Sequence, residues 1–252
     1  MKEILYILEH DFRMFLRYKW WIFGLICMNL ADLFIMAIVF TRMVNPEIVL
    51  DYFKFFSPGI TITALFAAAF IIGREINWEV RRNVSHYLLS LPITRWELAS
   101  GRMLAGGLRG MIYMAPLLLT TFLFVGFPSP PQLLIILGAL FLLSTGTSGL
   151  SIAIAVSTKS FEKFVTARSV VYYLLFFCST VFYPIKAIEG ILPQPLILLA
   201  QVNPLSCGAD LIRSYLIGNP PFSIHLLQYL LIFSTIFTLI GSLTYIKIIE
   251  RE

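Results

Sequence analysis

Side chains able to do chemistry are few in this sequence, and their spacing rules out most reactions. Three histidines (His10, His86, His225) and three cysteines (Cys27, Cys178, Cys207) lie far apart. No pair has metal-ligand spacing, an odd cysteine count makes no disulfide framework, and two cysteines sit inside apolar runs. An intramembrane hydrolase needs a nucleophile with its base, or metal ligands, at helical spacing. Asp32 has no neighbouring histidine and supplies neither. No lysine follows a glycine anywhere, so the phosphate-cradling loop G-x-x-x-x-G-K-[ST] is absent.

What the sequence concentrates is charge, in residues 74–102: REINWEVRRNVSHYLLSLPITRWELASGR. Ile76, Val80, Val84, Tyr87 or Leu88, and Leu91 recur at helical spacing and form an apolar stripe. Glu75, Glu79, Arg82 and His86 fall on another face, beside Arg81. Pro92 disfavours helix at Leu91, so the helix is expected to end there. Thr94 and Glu97 then have the spacing of a capping box, with Arg95 between them, and a new helix starts. A connection that only joined two spans would need a handful of polar residues. A helix, a proline turn and a capped helix suit the docking of a soluble partner; the plainer reading is that the arginines anchor topology.

The elements that position this segment follow from composition. Hydrophobic residues make up 58% of the 252 and charged residues 13%, against about 25% charged in a soluble domain. Mean hydropathy is +0.84. About 20 apolar residues cross a bilayer as a helix, and six runs qualify: 20–44, 55–73, 103–127, 132–156, 168–184 and 223–246. The first is preceded by nineteen residues and holds Asn29 and Asp32, which argues against a cleaved leader. Barrel strands would alternate polar with apolar, and these runs do not. The fold class expected is therefore an all-α membrane protein.

Lysine and arginine orient it. Lys2, Arg13, Arg17, Lys19, Arg74, Arg81, Arg82, Arg95, Arg102, Lys159, Lys163, Arg168, Lys247 and Arg251 fall on one side; Arg42, Lys54, Lys186 and Arg213 fall on the other. Both termini and 74–102 are expected in the cytoplasm. The net charge of +5 is thus an orientation signal, and no basic stripe with stacking aromatics points to nucleic acid.

Residues 1–19 place Ile4, Leu8, Phe12, Phe15 and Leu16 on one helical face, as in a helix lying in the membrane interface. The region 184–218 is apolar but broken by Pro184, Pro193, Pro195 and Pro204. Asn203 is a cap, Pro204 suits the first helical position and Gly218 a stop, so 204–217 is expected as a short helix with Asp210 and Arg213 paired. Broken helices are tolerated at membrane depth where protein or water covers the freed backbone, and the expectation is a re-entrant pair dipping in from outside. Asp32, near the middle of the first span, costs about 2.5–3.5 kcal/mol on insertion scales and must face protein or water. A pathway lining, a partner such as Arg109 and an interhelical hydrogen bond all remain open. Gly106 and Gly110, and Thr147, Ser151 and Ala155, have the spacing of close helix packing.

The stretch RE…W…LLSLPITRWELASGRMLAG after the second span, together with NPLSCGADLIR before the last, resembles the membrane subunits of ABC-2 type ATP-binding-cassette exporters. In the second stretch the matching residues are Asn203, Pro204, Gly208, Asp210 and Arg213. The likeness covers nearly the whole chain and is greatest to drug- and daunorubicin-resistance permeases. It implies one transmembrane domain over 1–252, with an interfacial helix, six spans and a re-entrant pair. It also implies that two such subunits, alike or different, form the pathway in the plasma membrane, each docking one nucleotide-binding subunit. ATP and magnesium would then sit on that partner, with no cofactor in this chain. Residues 74–102 would be the coupling element, with Glu79, Arg81, Arg82, His86, Pro92, Thr94, Arg95 and Glu97 at the ATPase, and 157–168 a second contact. Asn29 and Asp32 are the candidates for the translocation path of a drug, lipid or glycan. A secondary transporter or channel is the alternative; it would tend to show repeated halves with matching broken helices.

Overall fold

Long apolar runs leave the backbone one way to satisfy its polar groups within lipid, which is to close every bond inside a helix. The computed structural model describes residues 2–17, 19–43, 49, 51–82, 84, 93–158, 160–188, 191, 193–218 and 220–251, and among these there is no strand. Helix α1 covers Lys2–Arg17, α2 Lys19–Met43, α3 Tyr52–Phe70, α4 Ile72–Arg81, α5 Arg95–Val125 and α6 Pro130–Ser157. Then come α7 (Phe161–Phe177), α8 (Ile185–Ile188), α9 (Gln194–Val202), α10 (Pro204–Leu216) and α11 (Ile224–Arg251).

Among the described residues, five stretches are long and apolar enough to cross a membrane: α2, α3 with α4, α5, α6 and α11. The pair α9–α10, bent by 61° at Asn203, makes a sixth if counted as one span. Two expectations need correcting. The helix expected over 168–184 begins seven residues earlier and stops at Phe177. Ser160 caps it by accepting from the Lys163 amide, so a charged first turn belongs to the helix. At 17 residues it sits at the short limit for a crossing. The second span also runs on past residue 73. Only a turn at Ile71 separates α3 from α4, and the two form one 30-residue stretch to Arg81.

Helix α3 is the axis of the bundle, buried almost throughout between α5, α6 and α10. Small residues set how closely the others approach. A Cβ on Gly106 would lie 2.5 Å from the Ser148 hydroxyl, and one on Gly241 2.6 Å from the Gly149 carbonyl oxygen. The hydroxyls exposed by this closeness bond across the helices: Ser144 donates to the Gly107 carbonyl at 2.7 Å and Ser151 to that of Phe70 at 2.5 Å. Small residues at such crossings are how membrane helices pack without a hydrophobic drive. The outer faces of α2 and α11 are by contrast broadly exposed and apolar (Phe23, Ile35, Ile38, Leu231, Leu239, Leu243), as suits lipid or another subunit.

Candidate functional site

Three places gather polar residues. The first lies where α1, α4, α5 and α11 meet. Arg102, in the second turn of α5, donates to Asp11 of α1 at 2.6 Å and to Glu79 of α4 at 2.7 Å. Asp11 is 1% exposed and Arg102 4%, and the Tyr245 ring of α11 lies beside the guanidinium. Two turns on, Arg109 donates to Glu75 at 2.7 Å. Charges this deep persist because they are paired. Pairing is incomplete all the same: among the described residues, Asp11 Oδ2, Glu79 Oε2 and Arg102 Nε have no hydrogen-bond partner.

This arrangement changes the role of two expected coupling-segment charges. Glu79 and Glu75 point inward, toward Arg102 and Arg109, and away from the open surface. The cause is the straight continuation of α3 into α4, which keeps residues 72–79 level with their neighbours; Ile72, Ile76 and Asn77 are buried too, and Asn77 donates to the Ala155 carbonyl at 2.9 Å. Toward the end of α4, Trp78, Arg81 and Arg82 are exposed, as is Arg74 further back. The Arg82 guanidinium stacks 3.5 Å over the Trp78 ring, a cation–π contact. Across the connection, Thr94 caps α5: its hydroxyl accepts from the Glu97 amide at 3.3 Å, and its own amide donates to Glu97 Oε2 at 3.0 Å. The Thr94 hydroxyl also donates to Glu97 Oε2 at 2.7 Å, and this bond, with that from the Thr94 amide, holds the Glu97 carboxyl below the usual carboxylate range. Arg95 and Trp96 are exposed beside the cap. His86 and Pro92, expected in the same element, lie outside the described residues.

A cavity of about 460 Å³ between α2, α3 and α7 is the second place. Asn29 and Asp32 both line it, with Arg74, Tyr113, Arg168, Tyr172, Tyr173 and Phe176. Arg109, a possible partner of Asp32, is committed to Glu75 instead. The Asn29 amide donates to the Leu25 carbonyl at 2.9 Å. Among the described residues nothing hydrogen-bonds or ion-pairs with the Asp32 carboxylate, so this mid-span acid faces open space.

The third place is the opposite end, around Arg213, which is 0% exposed. Its Nε donates to the Phe55 carbonyl at 2.9 Å, Nη1 to Asp210 at 2.7 Å and Nη2 to the Val181 carbonyl at 3.2 Å. The guanidinium also lies 3.7 Å over the Phe55 ring. Asn203 caps α10 by accepting from the Leu205 amide at 2.9 Å, and donates to the Leu175 and Cys178 carbonyls at the end of α7. Pro204 opens α10, and Gly218 follows it at φ +74°. A Cβ on Gly208 would lie 3.0 Å from the Leu143 side chain, so the glycine lets α10 close on α6. The five residues of this motif thus form one buried joint that tethers the broken segment to α3 and α7.

Sequence reasoning missed Asp11, Trp78 and the structural use of Arg102. For Asp11 the usable signal was a lone aspartate amid the apolar positions of an amphipathic helix.

Comparison with known proteins agrees with this architecture. Residues 2–217 match the family described as ABC-2 type transporter. The chain is similar to the daunorubicin resistance ABC transporter permease protein of Streptomyces coeruleorubidus, 26% identical over 208 residues that cover 77% of this chain and 70% of that protein. With its family match spanning most of its length and its apolar helices, the chain belongs to the ABC-2 type transporters and is a multi-pass membrane subunit of an ABC exporter.

Proposed function

We propose that this subunit exports a drug-like or lipid-like amphiphile, driven by two copies of a separate ATP-binding subunit that dock on Trp78, Arg81, Arg82, Arg95 and Trp96. A second membrane subunit completes the pathway, and the docking face and both termini lie in the cytoplasm beneath the plasma membrane. One observation carries the reading: the exposed charged face is joined to buried helices by rigid links at both of its edges. On one edge α4 continues into the bundle axis α3. On the other, the Thr94–Glu97 capping box opens α5, which runs unbroken for 31 residues. Between them Arg102 ties both edges to α1. Force applied at the face reaches the spans without crossing a loose loop. Asn29 and Asp32 line the path that opens in response.

The test separates motor from channel. The purified chain alone is expected to hydrolyse no ATP, and to co-purify with an ATPase subunit whose turnover substrate then stimulates. Robust hydrolysis by the chain alone overturns the division of labour.

A further inference from the structure

We propose that the cavity between α2, α3 and α7 selects an anionic amphiphile, with its phosphate- or carboxylate-type head on Arg74 and Arg168 and its apolar body along Tyr172, Tyr173 and Phe176. This rests on reading the cavity as the path. The volume of about 460 Å³ lies in the range of small-molecule sites.

The charges argue for an anion. Arg168 is held by the Phe70 ring, 5.6 Å beneath its guanidinium, and no carboxylate pairs with it among the described residues. Its Nε is buried without an acceptor. Arg74 lines the same cavity and adds like-charge repulsion. The Arg168 guanidinium, its Nε unmet, and the Arg74 guanidinium on the wall of the same cavity make a basic end there, suited to an oxyanion that accepts from arginine as phosphate does.

Depth gives the site its polarity. At 1.5 Å per residue, Arg74 lies about 10 Å from the end of α4 and Arg168 about 10 Å into α7, whereas Asp32 lies about 20 Å into α2. The anionic head therefore rests at the basic end, and the Asp32 carboxylate repels it from going deeper. Asp32 and the Tyr113 hydroxyl, itself buried without a partner, remain to bond hydroxyl or amide groups along the ligand body. Aromatic faces on α7 cover the rest.

Native mass spectrometry of the full chain in neutral detergent tests this with three probes: dodecyl phosphate, dodecyltrimethylammonium and inorganic phosphate. The expected result is retention of dodecyl phosphate about tenfold above the ammonium compound, undiminished by equimolar inorganic phosphate. Arg74→Gln with Arg168→Gln should lower retention about tenfold, whereas Arg168→Lys keeps most of it and Arg81→Gln with Arg82→Gln changes nothing. Equal retention of both charges, preference for the ammonium, displacement by inorganic phosphate or an indifferent double variant would each overturn the proposal. ATP-driven uptake of dodecyl phosphate into inverted vesicles is read separately. Selective retention without uptake leaves the anion site standing and removes the pathway reading.

Discussion

Arg102 and Arg213 are both buried cations, at opposite ends of the bundle, and they are satisfied by different kinds of partner. Arg102 is held by two carboxylates from two other helices, Asp11 and Glu79. Arg213 takes one carboxylate from its own helix, Asp210, and spends its remaining donors on the Phe55 and Val181 carbonyls and Thr180. The difference follows from what each joint must do. Around Arg213 the chain breaks at 178–183 and again at Asn203, which frees carbonyls that only a many-armed donor can reach. Around Arg102 the helices are intact and their backbones are closed, so separate elements are joined through side chains. One joint repairs a broken backbone, and the other fastens whole helices to one another.

Removing each cation should expose that difference. Arg102→Ala leaves two buried carboxylates uncompensated and should lower stability by about 3–5 kcal/mol, read as thermal unfolding in detergent. Replacing Arg102, Asp11 and Glu79 together by methionine and leucines should recover most of the loss, since apolar residues often match a buried ion pair. A loss below about 1 kcal/mol for Arg102→Ala would contradict the fastening role. Arg213→Lys keeps the charge but not the fork, and leaving a main-chain carbonyl unmet should cost about 1–3 kcal/mol. If lysine is harmless there, Asp210 alone holds the joint.

Local devices should weigh less. Thr94→Ala should cost about 0.5–2 kcal/mol and also flatten the acid limb of the stability profile. The sign follows from Glu97, whose carboxyl is held low in the folded chain. Its contribution is present above the ordinary glutamate value near about 4.3 and fades as pH falls through the lower folded value. Wild type should lose that increment on acidification, and Thr94→Ala, which keeps the main-chain amide bond to Glu97 but not the hydroxyl bond, should lose less; parallel acid limbs would contradict it. The least effect belongs to the exposed pair Arg13–Glu9 at 2.6 Å, where Glu9→Gln should change stability by no more than about 0.5 kcal/mol.

Legibility in the sequence followed the range of each interaction. The Thr94–Glu97 box, the Asn203 cap and the Asp210–Arg213 pair each span three residues or fewer, and spacing alone located them. Apolar runs located the long helices within a few residues at most ends. Counting apolar residues failed at α7, because a capped, charged first turn is helical without being apolar. Asp11 and Arg102 are 91 residues apart, and no periodicity connects them. Helical phase placed Glu79 on another face from the apolar stripe; it could not tell that another helix would cover that side. Asn29 and Asp32 were visible as polar residues in a span, but the cavity beside them depends on how α2 and α7 splay from α3.

The central claim is that the exposed end of α4, with the capped start of α5, receives the work of a separate ATPase. Its most direct measurement is substrate-stimulated ATP hydrolysis in proteoliposomes carrying this chain and its ATPase subunit, beside recovery of that subunit in pull-down. Exposed pairs are worth about 0.2–1 kcal/mol each, so the double reversal Arg81→Glu with Arg82→Glu is the appropriate variant. The account predicts less ATPase recovered and stimulation lost, with the fold intact. Unchanged recovery together with unchanged stimulation would contradict it and leave the arginines as topological anchors.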